Sequence, residues 1–182
     1  TTIAELHERK GINFLIDGYA KIAKKFPNSK LVIVGDGNEH KNLERQIKDL
    51  EIEQQAILIG RQKEIPKILK CSDIFVLPSR REAFGYVLLE AMVTHLPIIA
   101  SQIGGIPEVV EDRKTGILFE PEDTESLSKA ITSLLKDIQK RKQMGEAGHT
   151  RATQKFSAKV MAENYEKLYE KILSGRGVFT HL

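Results

Sequence analysis

Two glutamates, Glu82 and Glu90, bracket the run Glu82-Ala83-Phe84-Gly85-Tyr86-Val87-Leu88-Leu89-Glu90. The first follows the loop Pro78-Ser79-Arg80-Arg81, and the second stands among Leu88, Leu89, Ala91 and Met92 in a helix-prone stretch. A carboxylate in apolar surroundings is costly unless polar groups meet it, so Glu90 is expected to serve a ligand rather than a surface lysine. Gly85 precedes the start of the helix, where free backbone N–H groups suit a phosphate. Two carboxylates can hold hydroxyls on either side of that phosphate. A sugar, a diphosphate and a ribose are the chemistry such a site describes.

The elements that must position these residues alternate between strand and helix. Residues 1–6 read as a strand, after which Gly11 opens an amphipathic helix with Ile12, Leu15, Ile16, Tyr19, Ile22 and Ala23 at helical spacing, closed by Pro27-Asn28. Residues 31–34 form a wholly apolar strand, as a sheet buried on both faces demands. A charged helix over about 39–50, a strand at 56–59, a short helix at 65–70 and a strand at 74–77 follow. The helix carrying Glu90 comes next, then strands at 97–100 and 117–119 and helices at 124–136, 139–154 and 158–173. This alternation predicts an α/β fold, a doubly wound, Rossmann-like parallel sheet. Ligands bind such sheets outside the carboxyl ends of the strands, so the loops after Leu6, Val34, Ile59, Leu77 and Ala100 should carry the site.

Composition narrows the function classes. The chain has 182 residues, 41% hydrophobic and 29% charged, which suits one globular domain over 1–174. Residues 175–182 have little reason to be ordered alone. A net charge of +3, with no basic stripe interleaved with aromatics, argues against nucleic acid. Cys71 is the single cysteine, which excludes an intrachain disulfide; beside a buried-strand pattern it is expected to be a packed thiol. The five histidines lack metal spacing and no Asp-x-Asp occurs, so no metal site is expected. No apolar run reaches the length of a membrane span. The opening Thr1-Thr2-Ile3 has no methionine or signal peptide and reads as mid-strand, the mark expected of a piece of a longer, cytoplasmic protein.

Further motifs accompany the paired glutamates: Leu31-Val32-Ile33-Val34-Gly35-Asp36-Gly37, Ser72-Asp73-Ile74-Phe75-Val76-Leu77-Pro78-Ser79, Gly104-Gly105-Ile106-Pro107-Glu108 and Lys114-Thr115-Gly116-Ile117-Leu118-Phe119. In order and spacing these resemble the landmarks of retaining glycosyltransferases of family 4, whose E-x7-E element Glu82 and Glu90 match. The resemblance runs over nearly the whole chain and implies the C-terminal, donor-binding half of a two-domain GT-B enzyme. Its substrate would be a nucleotide diphosphate sugar, with no further cofactor. An acceptor sugar or lipid would bind through an N-terminal domain absent from this chain, and the isolated chain would transfer little.

Site roles follow from the same resemblance. Lys10, before Gly11, would neutralise the diphosphate, and Glu82 would contact the transferred sugar with the Phe84 and Gly85 amides. The Tyr86 and Val87 amides would hold phosphate, and Glu90 would accept hydrogen bonds from the ribose. The Gly35–Gly37 turn would let the backbone approach the nucleotide; a plain strand-to-helix turn explains it equally, since His40 replaces the third glycine of G-x-G-x-x-G. Arg61 and Gln62 would wall the base, or form a plain loop. Glu108 would orient the sugar loop, or simply begin a short helix. Two departures stand out. Ala83 occupies a position where the family usually has glycine, which is strained if a positive φ is needed. Glu5 stands where an arginine usually completes the phosphate clamp, so Arg9 or a group from the missing half must substitute unless Glu5 faces elsewhere.

The basic run Lys136, Lys140, Arg141, Lys142, Arg151 and Lys155 reads as a solvated helical face; the lipid acceptors of family members leave contact with the inner membrane surface open. Two rival readings are a non-catalytic nucleotide-sugar or subunit-binding module and a GT-B nucleotide-sugar epimerase. The base, the sugar and the acceptor are not readable from these residues.

Overall fold

The computed structural model describes residues 1–174. Six short parallel strands form two ladders: β1 (Thr2–Ile3), β2 (Leu31–Val34) and β3 (Ala56–Leu58) in the order β1-β2-β3, and β4 (Phe75–Leu77), β5 (Ile98–Ser101) and β6 (Gly116–Phe119) in the order β4-β5-β6. The expected single sheet is therefore two three-stranded ones, because two-residue β1 is too short to carry a full ladder on both sides. The sheets nonetheless abut. The Thr1 amine donates to Ile74 O and the Val76 N–H to Thr1 O, each at 2.9 Å. The strands thus lie in the spatial order 3-2-1-4-5-6, with a topological switch between β1 and β4.

Eight helices cover the two faces: α1 (Ile12–Ala23), α2 (His40–Asp49), α3 (Ile65–Lys70), α4 (Tyr86–Val93), α5 (Ile106–Val109), α6 (Thr124–Lys136), α7 (Ile138–Lys155) and α8 (Ala158–Leu173). Alternate strand residues point to opposite sides. Ile33, Val76, Ile99 and Phe119 pack with Leu15 and Ile16 of α1, Leu43 of α2 and Leu127 of α6. Phe75, Leu77, Ile98 and Ala100 pack with Leu69 of α3, Leu88 and Met92 of α4, Ile106 of α5 and Ala152 of α7. Both faces of β4, β5 and the β1 edge are covered, and only toward β3 does one face open, where Ile57 is exposed. Each fully buried leucine or isoleucine adds about 1.5–3 kcal/mol.

Side chains set the helix starts. Asp123, Asp137 and Ser157 accept backbone N–H bonds as N-caps of α6, α7 and α8. Bonds from the Ser126 hydroxyl and amide hold the Asp123 carboxyl below its ordinary value. Helix α8 buries none of its residues and leaves Met161, Tyr165, Leu168, Tyr169 and Ile172 exposed along one stripe.

Several expectations need correction. Cys71 is exposed, because it caps the C-terminus of α3 at the surface before the chain turns into β4. The basic run is only partly a solvated face. Arg141 donates to the carbonyl of Leu134 at 2.6 Å and Arg151 to that of Val109 at 2.8 Å, so both tie the chain to itself. No described helix is long and apolar enough to cross a membrane. The expectation for residues 175–182 lies outside the described residues.

Candidate functional site

Lys10 follows β1 and Glu82 follows β4, so the switch between those strands brings them together. The Lys10 ammonium donates to a Glu82 carboxylate oxygen at 2.6 Å, with the two side chains 18% and 14% exposed. The hydroxyl of fully buried Ser79 reaches the same oxygen at 3.4 Å. A cation and a carboxylate therefore meet, largely sheltered from solvent, at the carboxyl ends of the strands, where doubly wound sheets take their ligands.

The local backbone explains why Lys10 sits there. Glu8–Lys10 form one turn of 3-10 helix, which ends in Gly11 at φ 63°. A Cβ on Gly11 would lie 2.1 Å from Pro78 O, so glycine is required both for the turn and for its contact with the loop after β4. From the other side, the Arg80 and Arg81 amides donate to Arg9 O at 2.8 and 3.3 Å. The Arg80 guanidinium binds Glu8 and Glu122 and lies over the Phe14 ring, 5.8 Å from its centroid. Bonds to Glu122 and then Glu8 raise its pKa further above the ordinary arginine value.

The Glu82 loop is braced by the segment after β5. The Gly105 N–H donates to Ala83 O at 3.1 Å, and a Cβ on Gly104 would fall 1.8 Å from Glu82 O. Ala83 is absent from the residues with positive φ, so the alanine carries no strain there. Gly85 at φ 80° leads into α4 without a side-chain cap, so no capping side chain meets the first amides, Tyr86 and Val87. Tyr86 is 75% exposed and its ring packs 5.1 Å from that of Phe84.

Glu90 is placed differently from its expected apolar setting. Helix α4 buries Leu88, Ala91 and Met92, and the helical period turns Glu90 to the exposed face despite its apolar neighbours in sequence. Its carboxylate makes no ion pair among the described residues and is open to a ligand from solvent. Glu5 pairs with Arg9 at 2.9 Å, both side chains being more than half exposed. It faces its own turn and leaves Lys10 to Glu82. Glu108 lies in α5 with its side chain exposed, which favours the short-helix reading.

The remaining expected residues follow β2 and β3, one and two strands from β1. Gly35 donates its N–H to Gly60 O at 2.9 Å, which joins the loops after β2 and β3, and exposed Arg61 and Gln62 follow at once. Gln62 bonds back to Ile59 O at 2.6 Å. Cβ atoms on Gly35 and Gly37 would lie 1.8 Å from Ala4 O and 2.4 Å from Leu6 O. The space freed by these glycines is thus used by the chain itself, to pack the β2 loop on the β1 loop. A cavity of about 680 Å³ opens at the other end of the strands beside Thr1, Leu31 and Ile74. It contains none of the expected site residues. Position at the carboxyl ends, rather than volume, singles out the Lys10–Glu82 pair.

Gly11, Ser79, Arg80, Gly104 and Glu122 also shape the surroundings of the Lys10–Glu82 pair. Gly11 had a visible signal, a glycine just before a helical period. Arg80 and Glu122 had none, because their contact spans 42 residues.

A family model described as glycosyl transferases group 1 matches residues 1–151. The chain belongs to this family. Among its relatives, the N-acetyl-alpha-D-glucosaminyl L-malate synthase of Bacillus anthracis is 34% identical over 171 residues, which cover 94% of this chain and 45% of the relative. The gpi3 subunit of the phosphatidylinositol N-acetylglucosaminyltransferase of Schizosaccharomyces pombe is 31% identical over 94% of this chain and 38% of its own length. The chain therefore spans about half the length of the curated relatives it matches. Anabaena HepE, solved in complex with UDP, is 28% identical with a TM-score of 0.85, over 93% of this chain and 48% of that one. The C-terminal domain of a glycosyl transferase group 1 family protein from Francisella tularensis matches with 28% identity and a TM-score of 0.80, over 86% of this chain and 85% of that one. The fold is thus that of the C-terminal domain of a GT-B glycosyltransferase.

Proposed function

We propose that this chain is the donor-binding domain of a retaining glycosyltransferase that moves a sugar from a nucleotide diphosphate sugar to an acceptor hydroxyl. The observation that carries the reading is the meeting of Lys10 and Glu82 at the β1–β4 switch. When the bond between the sugar and the β-phosphate breaks, the nucleoside diphosphate leaves with the electron pair and charge grows on it. Lys10 and the Tyr86 and Val87 amides stand ready for that charge, as preorganised donors. Glu82 orients the sugar, Glu90 the ribose, and the Gly35–Gly37 turn with Arg61 and Gln62 receives the base. The UDP-bound relative supports a nucleoside diphosphate as ligand, and the E-x7-E resemblance supports retention of the anomeric configuration. The acceptor belongs to a second domain outside this chain. The donor site is taken to work without a metal ion.

Calorimetry of the chain with UDP and GDP in excess chelator tests the reading. One of the two should bind, and Lys10→Met should weaken it by about 1.5–3 kcal/mol, the range for hydrogen bonds to charged groups. Silence toward both nucleotides, or an indifferent Lys10→Met, would overturn the assignment. Binding that returns only when manganese or magnesium is added would overturn its metal independence.

A further inference from the structure

We propose that Arg80 is a positioning residue that acts on the ligand through Lys10, by clasping the turn that carries it; this rests on the donor-binding reading above. Three segments converge on this side chain and its amide. The guanidinium bonds to Glu8, in the same single turn as Lys10, and to Glu122, in the loop after β6. Its own backbone N–H donates at 2.8 Å to Arg9 O, the carbonyl immediately before Lys10. The Phe14 ring closes the group from the α1 side.

Glu122 shows that this contact has a cost. It sits at φ 68°, in the left-handed region that glycine or asparagine occupies more readily. A glutamate in that conformation is explained by what its side chain reaches, and it reaches Arg80. Isolated surface ion pairs hold little. Here two carboxylates, a ring and a backbone clamp act on a single turn, and that turn has only three residues between β1 loop and Gly11. A lysine on an unclasped turn would spread its ammonium over many positions, whereas a clasped one presents it to the diphosphate already in place. The guanidinium gives its Nε to Glu122 and its Nη1 to Glu8 and lies over Phe14, and through these bonds to the Lys10 turn its influence on a ligand passes to Lys10.

A double-mutant cycle separates this role from direct contact and from general stability. Arg80→Gln, Lys10→Met and the double variant are titrated with UDP, GDP and UMP, and their melting temperatures are recorded. Arg80→Gln should weaken the bound nucleoside diphosphate about fivefold or more, within the range seen for coupled neighbours, and UMP less. In the Lys10→Met background the same change should cost nothing further. An equal loss in both backgrounds, or no loss in the unsubstituted one, overturns the proposal. Glu122→Gly is the second variant, because it removes one carboxylate while suiting φ 68°. It should weaken the diphosphate selectively while the melting temperature holds or rises; unchanged affinity would count against the clasp. If the unsubstituted chain binds neither UDP nor GDP, the donor-binding reading itself falls. If it binds one and both variants match it, only the role of Arg80 falls.

Discussion

The Lys10 ammonium and the Glu82 carboxylate lie 2.6 Å apart although 72 residues separate them in the chain. Lys10 lies in the segment after β1 and Glu82 in the segment after β4, on either side of the β1–β4 switch. In the free protein each neutralises the other where both are largely sheltered from solvent, which makes the pair tolerable there. On the proposed reading an incoming diphosphate would draw Lys10 from Glu82, so the carboxylate would both shelter the cation and compete with the ligand for it.

Glu82→Gln therefore should part the diphosphate from the sugar. The amide keeps the shape but no longer competes for Lys10, so UDP or GDP should bind as well as before or up to about tenfold more tightly, a change of 1.4 kcal/mol. The sugar-bearing donor should gain less, since its sugar loses a charged acceptor. Calorimetry with both ligands reads the difference. A large loss of nucleoside diphosphate affinity would mean that Glu82 holds Lys10 in its working position.

Glu90→Gln should act on the ribose alone. The carboxylate is solvent-facing before the ligand arrives, so its effect belongs at the low end of the range for charged hydrogen bonds, about 1.5 kcal/mol. The matched control is a 2′,3′-dideoxynucleoside diphosphate, which offers no hydroxyls and should bind both proteins equally. Equal losses for the two ligands would remove Glu90 from the ribose.

Gly11 and Gly60 have nearly the same φ, 63° and 65°, but different neighbours. A Cβ on Gly60 meets nothing within 4 Å, whereas one on Gly11 would fall 2.1 Å from Pro78 O. Gly60→Ala should cost only the left-handed backbone penalty, about 1–2 kcal/mol. Gly11→Ala should add an overpacking cost of about 1–3 kcal/mol and also weaken nucleotide binding, because the turn that carries Lys10 must move. Urea denaturation checks the first claim and calorimetry the second. Equal destabilisation by the two changes would contradict the contact between Gly11 and Pro78.

By itself the sequence determined what local chemistry controls. Helices α3, α6 and α8 run from Ile65 to Lys70, Thr124 to Lys136 and Ala158 to Leu173, as their periodicity predicts. The wholly apolar strands announced a sheet covered on both faces, and the alternation of elements announced parallel strands. The E-x7-E run and the glycine turns pointed to loops at the carboxyl ends of strands, because a loop's place there is set by chain order alone. Tertiary structure decided which of those loops touch. Strand order puts β1 beside β4, and with it Lys10 beside Glu82. The exposed face of Glu90 depended on which side of α4 found the core, and apolar neighbours in sequence do not say which side that is. The turning of Glu5 toward Arg9 and the binding of Arg80 by Glu8 and Glu122 were equally hidden. Charges on distant loops select one another only after the strands have paired, and no spacing along the chain records that choice.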